Sequence, residues 1–225
     1  MKPRVPVLAA VFVAFSTLQT HAQTLNWGVP VGEVLKDSNG DAIDDTYVFE
    51  LGAFALNFDP QESNVGEWLT HWRVFDSLVY DTNFGFTTSS VFILSDVKSN
   101  STRPGVSTGS FAGLNAFIWV RKGDQPVAGS EWFVGRAIDW TFPTTADPCC
   151  PPSTTKEWSV SDLGPGEIPE WGRQNNVTGP GVSIFTGTLN GLQTHTFIPE
   201  PSSSLLLIFG TAGLVLVRRR SAIVR

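Results

Sequence analysis

Between residues 23 and 198 apolar and polar positions alternate in short runs, and period two predominates over the helical period. Residues 46–54 set Tyr47, Phe49 and Leu51 on one side and Val48 and Glu50 on the other. The runs 84–94, 115–121, 131–142, 156–160, 182–189 and 194–197 also read as strands. Turn chemistry separates them at Ser38-Asn39-Gly40-Asp41, Lys122-Gly123-Asp124 and Asn190-Gly191. Many short strands at this spacing predict a mainly β domain, a single antiparallel β-sandwich or jelly roll with one short helix. Asn64 is the expected cap of that helix and Glu67 completes a capping box. Trp68, Leu69, Trp72 and Phe75 then fall on one helical face. Residues 143–181 hold seven prolines and little periodicity, which predicts a long ordered loop or edge excursion.

Two apolar runs flank this region. Lys2 and Arg4 precede an almost unbroken apolar stretch over 5–18, and Thr20-His21-Ala22 closes it with a small residue at the cleavage position. These are the three parts of a secretory signal. The expected cut, by signal peptidase after passage through the Sec translocon, lies between Ala22 and Gln23. The other end reads Pro199-Glu200-Pro201, three serines, an apolar run over 205–217 and Arg218-Arg219-Arg220. Thirteen helical positions at about 1.5 Å each reach about 20 Å, short of a hydrocarbon core of about 30 Å. Flanking serines and snorkelling arginines bring the segment closer to spanning. The basic residues at both ends favour the cytoplasmic side, so everything between them faces outward. The expected organisation is a signal peptide at 1–22, an exported β-rich domain at 23–198 and a sorting tail at 199–225 with a transmembrane helix at 205–217.

This tail resembles the PEP-CTERM sorting signal of Gram-negative envelope proteins. Three parts match: the motif Pro199, Glu200 and Pro201, the short transmembrane stretch, and the cluster Arg218, Arg219 and Arg220. The same tail is also catalogued as an ice-binding protein C-terminal domain, a label for the tail that carries no implication of ice binding. The resemblance implies an exosortase-type membrane protease that cuts near the motif and removes the anchor. It also implies an inner-membrane stage followed by the cell surface or extracellular matrix, in species that make exopolysaccharide or biofilm. The central region is similar to an uncharacterised group of PEP-CTERM proteins, through DDTYVFELGAF at 44–54 and FDPQESNVGEWLTHW at 58–72. That likeness implies a shared fold and no assigned chemistry.

Composition narrows the classes further. Charged residues are only 16% against 41% apolar, which excludes disorder driven by charge. Eight Trp and sixteen Phe against two Tyr and one Met indicate a core of large rings. Six of the fifteen Lys and Arg lie outside residues 23–200, leaving nine against twenty-one Asp and Glu, a balance of −12. A domain this acidic repels phosphate backbones, so nucleic acid is not an expected partner.

The candidate chemistry is sparse. Asp37, Asn39, Asp41 and Asp45 suggest a calcium loop, but Gly40, Ala42 and Val48 break the EF-hand spacing, and a hairpin turn explains the run better. Cys149 and Cys150 are adjacent between prolines, where a stiffened loop is expected, with a strained vicinal disulfide or a bridge to another chain as the alternatives. His71 and His195 remain after signal removal, and no Gly-x-Ser-x-Gly elbow accompanies them. Glu67, Glu131, Asp139 and Glu157 each adjoin a Trp, which suits sugar stacking in glycoside hydrolysis, yet strand alternation reads Glu131-Trp132, Asp139-Trp140 and Glu157-Trp158 as one polar and one core position each. The sequons at Asn100 and Asn176 mark expected surface loops. The expected function is a non-catalytic structural or binding component without a cofactor, associated with exopolysaccharide. The alternatives are a secreted glycan-active enzyme and a self-assembling coat subunit.

Overall fold

Neighbouring residues of a strand point to opposite faces, and in the central strands of this protein both sets are apolar. The computed structural model describes residues 23–94, 96–123, 125–144, 155–164 and 166–197. The strands among them are β1 (Gln23–Val29), β2 (Val34–Lys36), β3 (Val48–Phe54), β4 (Trp72–Val79), β5 (Thr87–Ile93) and β6 (Phe117–Lys122). They continue with β7 (Glu131–Gly135), β8 (Lys156–Ser159), β9 (Arg173–Gln174), β10 (Val177–Thr178), β11 (Gly191–Gln193) and β12 (His195–Thr196). One short helix, α1 (Trp68–His71), completes the set. The protein is mainly β.

Three sheets result, in the orders β12-β7-β6-β3-β4, β5-β1-β8 and β10-β9-β11-β2. Two pairs, β1 with β8 and β2 with β11, run parallel, which corrects the expectation of antiparallel pairing throughout. Each joins strands distant in sequence, so local alternation carries no trace of its direction.

The five-stranded sheet is apolar on both faces. Phe49, Leu51, Ile118, Val120 and Phe133 share one core with Leu25, Trp27, Val29 and Trp158 of the three-stranded sheet. The alternate residues Trp72, Val74, Phe117, Trp119, Trp132 and Val134 form a second core with Trp68, Trp171 and Phe197. In the second core Trp119 contacts Trp72 and Trp132 edge to face, with ring centres 5.2 and 4.9 Å apart. Such pairs add stabilisation beyond the area they bury.

The expected helix is corrected in extent and cap. The turn begins at Gln61, whose backbone N–H donates to Asn64 Oδ1 at 2.9 Å, and a 3₁₀ segment at Glu62–Glu67 leads into the single α-turn. Asn64 sits inside this segment, and its Oδ1 also accepts from Trp68 Nε1 at 2.8 Å. Trp72 and Phe75 leave the helix for β4, where they enter opposite cores. Helical spacing and a strand that bulges beside Gly52 give the same order of rings, and burial on two faces decides for the strand. The run 182–189 is not a strand; only Val182 bridges, to Thr196. The run 131–142 is a strand only to Gly135, and the proline-rich 143–181 contains β9 and β10 as well as β8. Asn100 and Asn176 are exposed. Residues 1–22 and 198–225, with Ala22, the Pro199 to Pro201 motif, the 205–217 helix and the arginine cluster, lie outside the described residues, as do Cys149 and Cys150. Among the described residues no helix is long and apolar enough to cross a membrane.

Gly28, next to the end of β1, lies between β5 and β8 at φ +148°, where an added Cβ would overlap the carbonyl oxygen of Thr87. Gly28→Ala is expected to lose about 2 kcal/mol of stability through backbone strain and the clash. Chemical denaturation followed by far-UV circular dichroism would measure it, and a loss below a few tenths would refute the strain.

Candidate functional site

Several acids that alternation places outward are buried, and each is held by donors. Glu50 accepts from Trp72 Nε1 at 2.8 Å and from the Arg121 guanidinium at 2.7 Å. Asp76, fully buried, accepts from Trp27 Nε1 at 2.8 Å, Ser101 Oγ at 2.6 Å and Arg103 at 2.7 Å. Glu131 accepts from Tyr47 Oη at 2.7 Å, Thr194 Oγ1 at 2.7 Å, Ser38 Oγ at 2.8 Å and the Ser38 backbone N–H at 3.1 Å. Burial alone would raise the pKa of Glu131, but the bonds from Thr194, Tyr47 and Ser38 outweigh it and hold the carboxyl below its ordinary value. Burial, followed by the bond to Glu131, raises the Tyr47 phenol far above its usual range. These carboxylates are saturated with donors and serve as internal ties.

The other sequence candidates are dispersed. Glu131 is buried, which corrects its reading as the outward half of a Glu-Trp pair, whereas Asp139 and Glu157 do face solvent beside buried Trp140 and Trp158. Glu67 is exposed and lies 3.9 Å from His71 Nε2 across one helical turn. Asp37 closes its own loop, its Oδ1 accepting from the backbone N–H groups of Asn39 and Asp41 at 2.9 Å each. Asp44 likewise accepts from the Thr46 backbone N–H at 2.9 Å. Among the described residues no three His, Cys, Asp or Glu side chains assemble in a metal-binding group. His195 is buried on β12 with its Nδ1 2.9 Å from the Pro180 carbonyl, and burial pushes its pKa below the ordinary histidine value.

The side chains that do converge lie beyond the edge of the second core. After β3 the chain turns back, Ala55 N–H donating to His71 O at 2.8 Å and Phe58 N–H to Ala55 O at 3.0 Å. Asn57 takes φ +69° in this turn, a conformation asparagine tolerates better than most residues. Phe58 then stacks on His71 with ring centres 4.1 Å apart. Opposite, Arg136 follows β7 directly and lies 5.6 Å from the Phe117 ring centre. Trp171 exchanges backbone hydrogen bonds of 3.0 and 3.2 Å with Val134, and its burial sets the preceding Glu170 in place.

Arg136 and Glu170 line two adjoining pockets of about 180 Å³ each. Asn57, Phe58, Asp59 and Asn115 line the first, and Ile138, Glu167 and Ile168 the second. Burial raises the pKa of Glu170 above its ordinary value, the nearby Asp59 charge adds to this, and Arg136 opposes it. Glu167 accepts from the Ile138 backbone N–H at 2.7 Å through Oε1, while its Oε2 is buried without a donor. Nothing matches this chain among protein-family models, curated proteins or solved structures.

These residues combine planar amides, carboxylates, a guanidinium and the exposed apolar surfaces of Leu56, Ile138 and Ile168. Such a mixture suits a neutral polyhydroxylated ligand, whose adjacent hydroxyls pair with planar polar groups and whose carbon faces cover apolar ones. Asp59, Asn115, Arg136 and Glu170 carry little signal in the sequence, because they come from four separate connections. The only local signal is Glu170 beside Trp171, a polar residue next to a ring that fixes it.

Proposed function

We propose that the protein is an exported envelope or extracellular-matrix component, sorted by an exosortase-type protease, whose domain binds surface polysaccharide without transforming it. In this reading the β domain is a sandwich of jelly-roll type, with its cleft beyond one end of the five-stranded sheet. The observation that carries the binding role is the pair of adjoining pockets sharing Arg136 and Glu170, where amides and carboxylates meet exposed apolar side chains. The export and sorting role is supported by the leader ending at Ala22 and by the tail from Pro199 to Arg220.

Titration calorimetry of the full chain with exopolysaccharide from its own host tests the binding role. Arg136→Ala and Asn115→Ala are each expected to weaken binding about tenfold, the loss of one or two hydrogen bonds, with the melting temperature unchanged. Absence of binding by the unaltered chain at millimolar sugar, or undiminished binding by both variants, would reject it. Intact mass of the protein recovered from the host surface tests sorting: a species ending near Pro199 supports it, and one retaining 205–225 rejects it.

Two carboxyls, Asp59 and Glu170, line the same pocket, and burial raises the pKa of Glu170; this pair favours a second reading, a glycan-active enzyme with Glu170 as the acid. Reducing ends released by the unaltered chain and abolished by Glu170→Gln would establish that reading instead.

A further inference from the structure

A second site lies on the four-stranded sheet, away from the cleft. Arg173 on β9 is only 9% exposed, yet among the described residues no carboxylate pairs with it. The one hydrogen bond of its side chain is a long one, 3.4 Å from the guanidinium to Asn176 Oδ1, and its buried Nε has no acceptor. Elsewhere among the described residues buried acids meet a cation, as Glu50 does with Arg121 and Asp76 with Arg103. A buried guanidinium without a counter-charge is costly, and a bound anion removes that cost.

The surroundings suit such a ligand. Arg173 lines a pocket of about 370 Å³ together with Thr178, Ser183, Phe185, Thr186 and His195. A carbonyl can only accept, so His195 Nδ1 carries the proton donated to Pro180 O, and the neutral ring keeps Nε2 as an acceptor that protonation converts to a donor.

We propose that this pocket binds an oxyanion, a carboxylate, sulfate or phosphate group, through the Arg173 guanidinium. Guanidinium forks match such groups in a two-bond geometry that a point charge does not reproduce. The site stands on its own residues and does not depend on the polysaccharide reading of the cleft. The charge balance of the domain is strongly acidic, so attraction is local to this pocket.

Nuclear magnetic resonance of the full chain in detergent tests it, with acetate, sulfate, phosphate and glucuronate added at ionic strength matched by sodium chloride. The expected result is a saturable shift of the Arg173 Nε–H and His195 ring signals that chloride does not produce. Arg173→Gln is expected to weaken binding at least about tenfold, and Arg173→Lys, which keeps the charge but loses the fork, by less. Tightest binding by glucuronate would assign the pocket to an acidic sugar, and tightest binding by sulfate or phosphate to an inorganic or ester anion. Shifts equal to those of chloride, or saturable binding unchanged in both variants, would overturn the site and leave Arg173 solvated by water.

Discussion

Trp132→Ala is expected to lower the free energy of unfolding by about 4 kcal/mol, as truncation of a fully buried large ring does. Trp132 is unexposed and lies within 6.4 Å, centre to centre, of Trp68, Trp119, Trp171 and Phe197. Neighbours this large cannot close around the space it leaves. Trp119 supplies an internal control, because its indole N–H has no acceptor. Trp119→Phe therefore forfeits no hydrogen bond and is expected to lose less than Trp72→Phe, which strips Glu50 of a donor at 2.8 Å. Urea unfolding with far-UV detection would decide. A loss below 1 kcal/mol for Trp132→Ala would mean that the second core is loosely packed.

Glu131→Ala is the second large effect, also expected near 4 kcal/mol at neutral pH. Its carboxylate joins Ser38 between β2 and β3, Tyr47 before β3 and Thr194 between β11 and β12. Removing it strands buried donors from three segments, each costing about 1 kcal/mol or more. Glu131→Gln keeps the shape and some acceptors and is expected to cost about half as much. The pH dependence follows from the sign of the shift. A carboxyl with a lowered folded pKa contributes its stability above the unfolded value of 4.5 and loses it as pH falls through the folded value. The difference between the unaltered chain and Glu131→Gln should therefore be full at pH 6 and shrink below about pH 4. A difference that stays constant over that range would show that the charge of Glu131 contributes nothing.

Alternation made the cores legible and the connections illegible. The sides assigned to Phe49, Leu51 and Glu50 are the sides they occupy, and the runs at 115–121 and 156–160 are strands within a residue or two. What alternation could not convey is that the polar side of β3 is also buried. Glu50 is hidden because Trp72 and Arg121 satisfy it, and both lie far along the chain. Likewise the start of β4 fits a helical pattern, since the large apolar side chains at positions 68, 69, 72 and 75 suit a helical stripe and burial on two faces equally well. The cleft was least legible. Its residues are single polar side chains from separate connections, and only the pairing of Trp171 with Val134 brings Glu170 to Arg136.

The two parallel pairs also set an order of events. Residue Leu25 finds its partner at Lys156, and Val34 finds its partner at Gly191, so the three-stranded sheet waits for β8 and the four-stranded sheet for the end of the domain to be synthesised. Closing loops of that length before any contact rewards them slows folding and leaves strand edges uncovered meanwhile. The antiparallel run of β3, β4, β6 and β7 involves nearer partners and can assemble first as a nucleus, with the first and last strands docking onto it afterwards. A chain shortened before β11 would then keep its ring-filled centre while leaving β2 unpaired, a vulnerable intermediate for proteases and for aggregation.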